Sequence, residues 1–151
     1  MGKTSSAATT TQKPKPVNGT RYLVDSSTWI NLLRGIETNG TLKLRRLLQA
    51  DAPIFITGCI YQEILQGERN AASYERLKEY FGSLPFCAAP DASTHAEAAL
   101  IYARLRWAGI TIRSANDALI ARQALEADLL LLHDDEDFDR IAAIEKGFKL
   151  A

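Results

Sequence analysis

The sequence predicts an α/β domain with a parallel central sheet and helices on both faces, and three observations predict it. β-rich runs at 21–24, 54–57, 84–90 and 128–133 alternate with helical stripes, which is the pattern of strand, crossover helix, parallel strand. The run at 128–133, DLLLLH, is almost wholly apolar, as in a strand covered on both sides. Of the 151 residues 46% are hydrophobic, enough to bury one continuous core. A single domain over residues 21–151 follows.

Residues 1–20 (MGKTSSAATTTQKPKPVNGT) are rich in Thr, Ser, Lys and Pro with almost no large apolar side chain. They cannot bury enough surface to offset the entropy of ordering, and are expected to be a disordered tail, native or added. Arg21–Val24 then forms a first strand, and Trp29, Ile30, Leu32 and Leu33 set a helical stripe over about 27–37. Leu42, Leu44, Leu47 and Leu48 mark a second helix, and the IFIT run at 54–57 a second strand. Ile60 and Ile64, with Tyr61 and Leu65, give a helix stopped at Gly67; residues 70–84 continue as another, with Leu77, Tyr80 and Phe81 facing inward. Residues 84–90 (LPFCAAP) supply a third short strand. Asp91 or Ser93 caps a long helix to Trp107, Ser114 caps another over about 115–127, the strand at 128–133 follows, and a final helix starts near Phe138.

Composition removes several function classes. No apolar run approaches the roughly 18 residues of a membrane span and no secretory block opens the chain, so a cytoplasmic protein is expected. Cys59 and Cys87 lack metal-ligand spacing and read as free thiols. Lys and Arg together match Asp and Glu at 18 each, but Lys3, Lys13 and Lys15 lie in the tail, so the domain is slightly acidic. Any nucleic-acid contact must therefore be local or metal-assisted rather than a broad basic face.

In parallel sheets the working groups gather at the carboxyl ends of the strands, beside a switch in strand order. Asp25 ends the first strand there, and HDDEDFD (133–139) ends the last, bringing Asp135 and Asp137 to the same edge. Glu63 lies on the inward-facing side of its helix, and Asp117 in a first helical turn, where the dipole steadies a carboxylate. Each has an ordinary alternative: Asp117 as capping, Glu63 as a solvated helix residue, 134–139 as a polar loop. Carboxylates gathered within ~4–6 Å raise one another's pKa unless a cation neutralises them, and a hard ion such as Mg2+ or Mn2+ suits an all-oxygen set.

Four segments, in order, carry a resemblance. RYLVDSSTWI, YQEILQG, NDALIA and LLHDDEDFDRI resemble the motifs of the PIN-domain ribonucleases, specifically VapC-type toxins of toxin–antitoxin pairs, over Arg21 to about Phe148. The resemblance implies a metal-dependent endoribonuclease with Asp25, Glu63, Asp117 and Asp135 around one or two Mg2+ or Mn2+ ions. Asp137 is then a further ligand or a supporting acid, and Ser27 and Asn116 support the first and third acids, with capping of its own helix the ordinary alternative for each. It also implies hydrolysis leaving a 5′-phosphate and a 3′-hydroxyl, with Asp25 or Asp117 as general base. The implied partners are RNA, a VapB-type antitoxin and a second copy in a homodimer, with helices 41–50 and 58–82 as the antitoxin groove. Arg34, Arg113 and Arg122 are candidates to place phosphates.

The sequence departs from the family pattern at Ser26, where Thr is common, and at Asp134, an extra charge beside the site. His133 fits the close of a buried strand better than a general base, and His95 an ordinary surface position. Trp29 and Trp107 suit core or dimer contacts, with base stacking as the functional alternative. A non-catalytic partner-binding module with a structural metal site is the competing reading. A receiver-type phosphoacceptor lacks its paired acids, and a haloacid-dehalogenase-like phosphatase would need an Asp where Ser27 stands.

Overall fold

The computed structural model describes residues 19–151, so residues 1–18 of the expected tail lie outside the described residues. Three strands, β1 (Tyr22–Val24), β2 (Ile54–Phe55) and β3 (Leu130–Leu132), form a parallel sheet in the order β2-β1-β3. β1 is central, with Tyr22 opposite both Ile54 and Leu130. Strand order reverses at β1, so the crevice expected of such sheets opens at its carboxyl end.

Among the described residues seven helices surround the sheet: α1 (Ser26–Leu33), α2 (Asn39–Gln49), α3 (Gly58–Gln66), α4 (Ala71–Gly82), α5 (Ala92–Trp107), α6 (Ala115–Ala127) and α7 (Glu136–Ile144). Successive strand residues point to opposite faces, and neighbours Leu23 and Val24 are both fully buried, so both faces of the sheet are covered. Helices α1 to α4 pack in one contiguous set and α5 to α7 in another. Local chemistry sets their starts: Thr38, Thr57, Asn70, Asp91 and Ser114 each accept a backbone N–H at a helix N-terminus. Trp29 is in the core, meeting Phe81 edge-to-face with ring centres 4.9 Å apart.

Several expectations shift. The strand at 84–90 reduces to one bridge, Phe86 beside Ile56, held by Ile56 N–H to the Pro85 carbonyl and Cys87 N–H to the Ile56 carbonyl. Pro85 and Pro90 bring no N–H to a ladder, so it cannot lengthen. On the opposite edge Leu150 bridges Leu131, a pairing that the sequence did not announce. α1 stops at Leu33, not 37, because the chain turns through Gly35 at φ 71°. Tyr80 is half outside rather than inward, and Trp107, 75% exposed, lies outside the core.

Candidate active site

Asp25 follows β1 directly and its own amide donates to Leu132 of β3 at 2.9 Å, which seats it at the junction of the two strands. It is also the N-cap of α1: Oδ2 accepts the Ser27 amide at 3.0 Å and the Ser27 hydroxyl at 2.6 Å. Oδ1 is buried and has no partner within the protein. Burial pushes the Asp25 pKa up against the Ser27 hydrogen bonds, and the Glu63 charge pushes the same way. A buried acid with one oxygen satisfied and the other orphaned is what a cation ligand looks like.

Glu63 projects from α3 and joins three helices. Its Oε2 accepts the Ser26 hydroxyl of α1, and its Oε1 accepts Cys59 Sγ and, from α6, Asn116 Nδ2, each at 3.5 Å. Cys59 is thereby no nucleophile: burial, then the Glu63 charge, pushes its thiol up to about 12. Asp117 sits buried in the first turn of α6. Burial, then the charges of Asp25, Asp135, Asp137 and Glu63, raise its pKa to about 7.

Asp135 is the N-cap of α7, accepting the Asp137 amide at 3.0 Å. Oxygens of Asp117, Asp135 and Asp137 lie within 4.8 Å of one another, close enough to share one ion. Asp25 and Glu63 are not in that trio, but both act on Asp117 through their charge. Asp137 has a different environment: burial is outweighed by the Arg113 amide and by the Arg140 and Arg113 side chains, which hold its carboxyl below the usual range. An open groove of about 810 Å3, lined by Gly109, Arg113, Asp135, Asp137 and Arg140 among others, runs past these acids.

Of the five expected acids, Asp117, Asp135 and Asp137 thus gather within ion-sharing distance, and Asp25 and Glu63 act on Asp117 through their charge. Ser27 braces Asp25, and its hydroxyl also accepts the Asp134 amide at 3.1 Å, tying the β1 and β3 ends together. Asn116 reaches Glu63 rather than Asp117, and Ser114, not Asn116, caps α6. Asp134 accepts Asn31 Nδ2 at 3.0 Å and Thr38 Oγ1 at 2.8 Å, so it fastens the α1–α2 connection while also lining the groove. Arg113 is at the site; Arg122 pairs with Glu126, and Arg34 lines a separate cavity with Ile30 and Ile64. The partly buried His133 accepts the Asp135 amide on Nδ1, a structural role. Sequence reasoning passed over Ser26, noted only as an unusual residue, and Arg140; a hydroxyl next to the first acid was the available signal for the former.

The PIN domain family model matches residues 22–144. The chain is 37% identical over 123 residues to a VapC ribonuclease of Mycobacterium bovis and to ribonuclease VapC11 of Mycobacterium tuberculosis, covering 81% of this chain and 92% of each relative. Among solved structures, VapBC2 from Rickettsia felis bound to a DNA fragment from their promoter superposes with a TM-score of 0.66 at 19% identity, over 86% of this chain and 96% of that one. VapBC-1 from nontypeable Haemophilus influenzae gives 0.62 at 20% identity, over 82% and 94%. The match spans all three strands and all seven helices, and the identity extends across nearly the whole of the mycobacterial relatives: the chain belongs to the PIN-domain family, among the VapC ribonucleases.

Proposed function

We propose that this protein is a Mg2+- or Mn2+-dependent endoribonuclease and the toxin of a toxin–antitoxin pair. The observation that carries the reading is the orphaned, buried Oδ1 of Asp25 beside an Asp117 whose pKa is raised to about 7. Both acids lack a compensating cation, and an all-oxygen donor set suits a hard ion. Asp25, Glu63, Asp117 and Asp135 hold it, with Asp137 completing the cluster. When bound, such an ion polarises a phosphodiester, lowers the pKa of water and neutralises developing charge. Ser27 keeps Asp25 Oδ2 occupied so that Oδ1 faces the ion, Ser26 and Asn116 orient Glu63, and the groove past Arg113 receives the RNA strand.

The partner is a VapB-type antitoxin, seated on the cavity between α1, α3 and α4, where Ile30, Leu33, Ile64 and Asn70 meet and the exposed Leu33 and Ile36 add apolar surface. That moves the expected groove from helix 41–50 to α1. The toxin works in the cytoplasm as a homodimer, and among the described residues no helix is long and apolar enough to cross a membrane. Residues 21–151 act as the nuclease unit. The test is cleavage of an end-labelled structured RNA with Mg2+ or Mn2+. Wild type is expected to cut, and Asp25→Asn and Asp117→Asn to lose at least ~100-fold. Undiminished cutting by both variants removes this site from the reaction.

A further inference from the structure

We infer that Asp137 is a positioning residue that clamps Arg113 as the phosphate-facing cation of the groove, and is not itself an ion ligand. The inference rests on the nuclease reading and assigns roles within its site. Its basis is the contrast between two buried acids. Asp25 keeps Oδ1 without a partner and Glu63 meets only uncharged donors, whereas Asp137 has one oxygen on the Arg113 side chain and the other on Arg140. Its Oδ2 accepts the Arg113 amide at 3.0 Å and Arg113 Nε at 3.3 Å, and its Oδ1 accepts Arg140 Nη1 at 2.5 Å. Its charge is already balanced by two guanidinium groups, which leaves it little need of an ion. Nearness to Asp117 and Asp135 therefore does not make it a ligand.

What Asp137 does organise is Arg113. The guanidinium spends Nε on Asp137 and Nη2 on Asp135, at 2.9 Å, while among the described residues Nη1 makes no hydrogen bond and the side chain is 76% exposed in the groove that Arg140 also lines. A planar fork anchored along one edge presents the other edge to a phosphate, with less rotamer freedom left to lose on binding. In a domain with more acidic than basic residues, a fixed local cation beside the acids supplies the attraction that overall charge does not.

The test uses the full chain, Mn2+ followed by electron paramagnetic resonance, and a fluorescein-labelled single-stranded 2′-O-methyl oligonucleotide followed by anisotropy across a salt series. Asp137→Asn and Arg113→Gln are each expected to weaken oligonucleotide binding ~3- to 10-fold and to flatten the salt slope by about 0.7, one phosphate contact on a single strand. The double variant is expected to lose no more than either single one, and Arg113→Lys to recover the slope. Mn2+ affinity is expected to fall far less in Asp137→Asn than in Asp117→Asn, where a carboxylate ligand itself is lost. Mn2+ binding lost equally in Asp137→Asn and Asp117→Asn makes Asp137 a ligand and overturns the inference. So does an unchanged salt slope in Arg113→Gln, an exposed substitution that leaves the fold intact. If wild type binds Mn2+ and the oligonucleotide as described yet cuts no RNA, the nuclease reading fails and the clamp stands.

Discussion

Asp117→Asn, studied without divalent ions, isolates the cost of gathering these acids. The carboxyl rises from 3.8 to about 7 in the folded protein through burial first and then the charges of Asp25, Asp135, Asp137 and Glu63. Between those values the folded state binds a proton that the unfolded state has released, so this group's contribution to stability is present below about pH 4 and lost as pH rises through 7. At 1.36 kcal/mol per unit the full shift bounds the loss at ~4 kcal/mol, and solvent screening at the pocket mouth brings it to ~2 kcal/mol. For a chain of this length that is roughly 4–8 °C in Tm. The assay is a pair of thermal melts in EDTA at pH 5 and pH 8. Between pH 5 and pH 8 the variant is expected to gain on wild type by about two-thirds of that amount, the rest being already lost by pH 5. Adding Mn2+ at pH 8 is expected to stabilise wild type and leave the variant unmoved. A difference between the two melts that stays constant from pH 5 to pH 8 refutes the reasoning.

Ser26→Ala deprives Glu63 of a charge-assisted hydrogen bond, so Mn2+ affinity measured by titration calorimetry is expected to fall about ten-fold, on the order of 1.5 kcal/mol; undiminished affinity shows that Ser26 does not hold the acid. Gly40→Ala places a methyl 2.8 Å from Asp134 Cγ, and Asp134 is pinned by Asn31 and Thr38, so urea denaturation is expected to show a loss of about 1–3 kcal/mol, and wild-type stability would mean the α1–α2 connection yields freely. With its thiol pushed up to about 12, Cys59 at pH 8 is expected to alkylate with iodoacetamide roughly 10³-fold more slowly than an unperturbed cysteine; rapid labelling at that position contradicts the buried, acid-flanked environment.

The fold was legible where structure is local and lost where it depends on a distant neighbour. DLLLLH announces a two-sided strand, and Ser114 announces the start of α6, because periodicity and capping are properties of a few adjacent residues. Residues 84–90 carry the same apolar signal, yet pair only at Phe86, since a ladder needs N–H groups that Pro85 and Pro90 lack. Leu150 pairs with Leu131 for reasons no window around residue 150 contains. The acids were legible for a related reason: the end of a central strand and the first turn of a helix are positions that chain order alone identifies. Their supports were not. Ser26 and Ser27 are adjacent, yet one serves Glu63 and the other Asp25, a division set by the packing of α3 against α1.

The acid run at 134–137 shows how several carboxylates coexist at one sheet edge. As the chain leaves β3 and winds into α7, successive side chains point in different directions, so the run divides instead of acting as one block of charge. Asp134 goes to Asn31 and Thr38, Asp135 toward Asp117 and the Arg113 guanidinium, and Asp137 inward to Arg113 and Arg140. Asp134, Asp135 and Asp137 therefore each carry their own compensation, and Glu63 has three donors around it. Asp25, with Oδ1 unpartnered, and Asp117 are the acids of the cluster whose pKa ends up raised, in both through burial first. On the proposed reading a divalent ion relieves both, so substitutions at Asp25 and Asp117 are expected to abolish ion binding while those at Asp137 chiefly alter how the RNA is held.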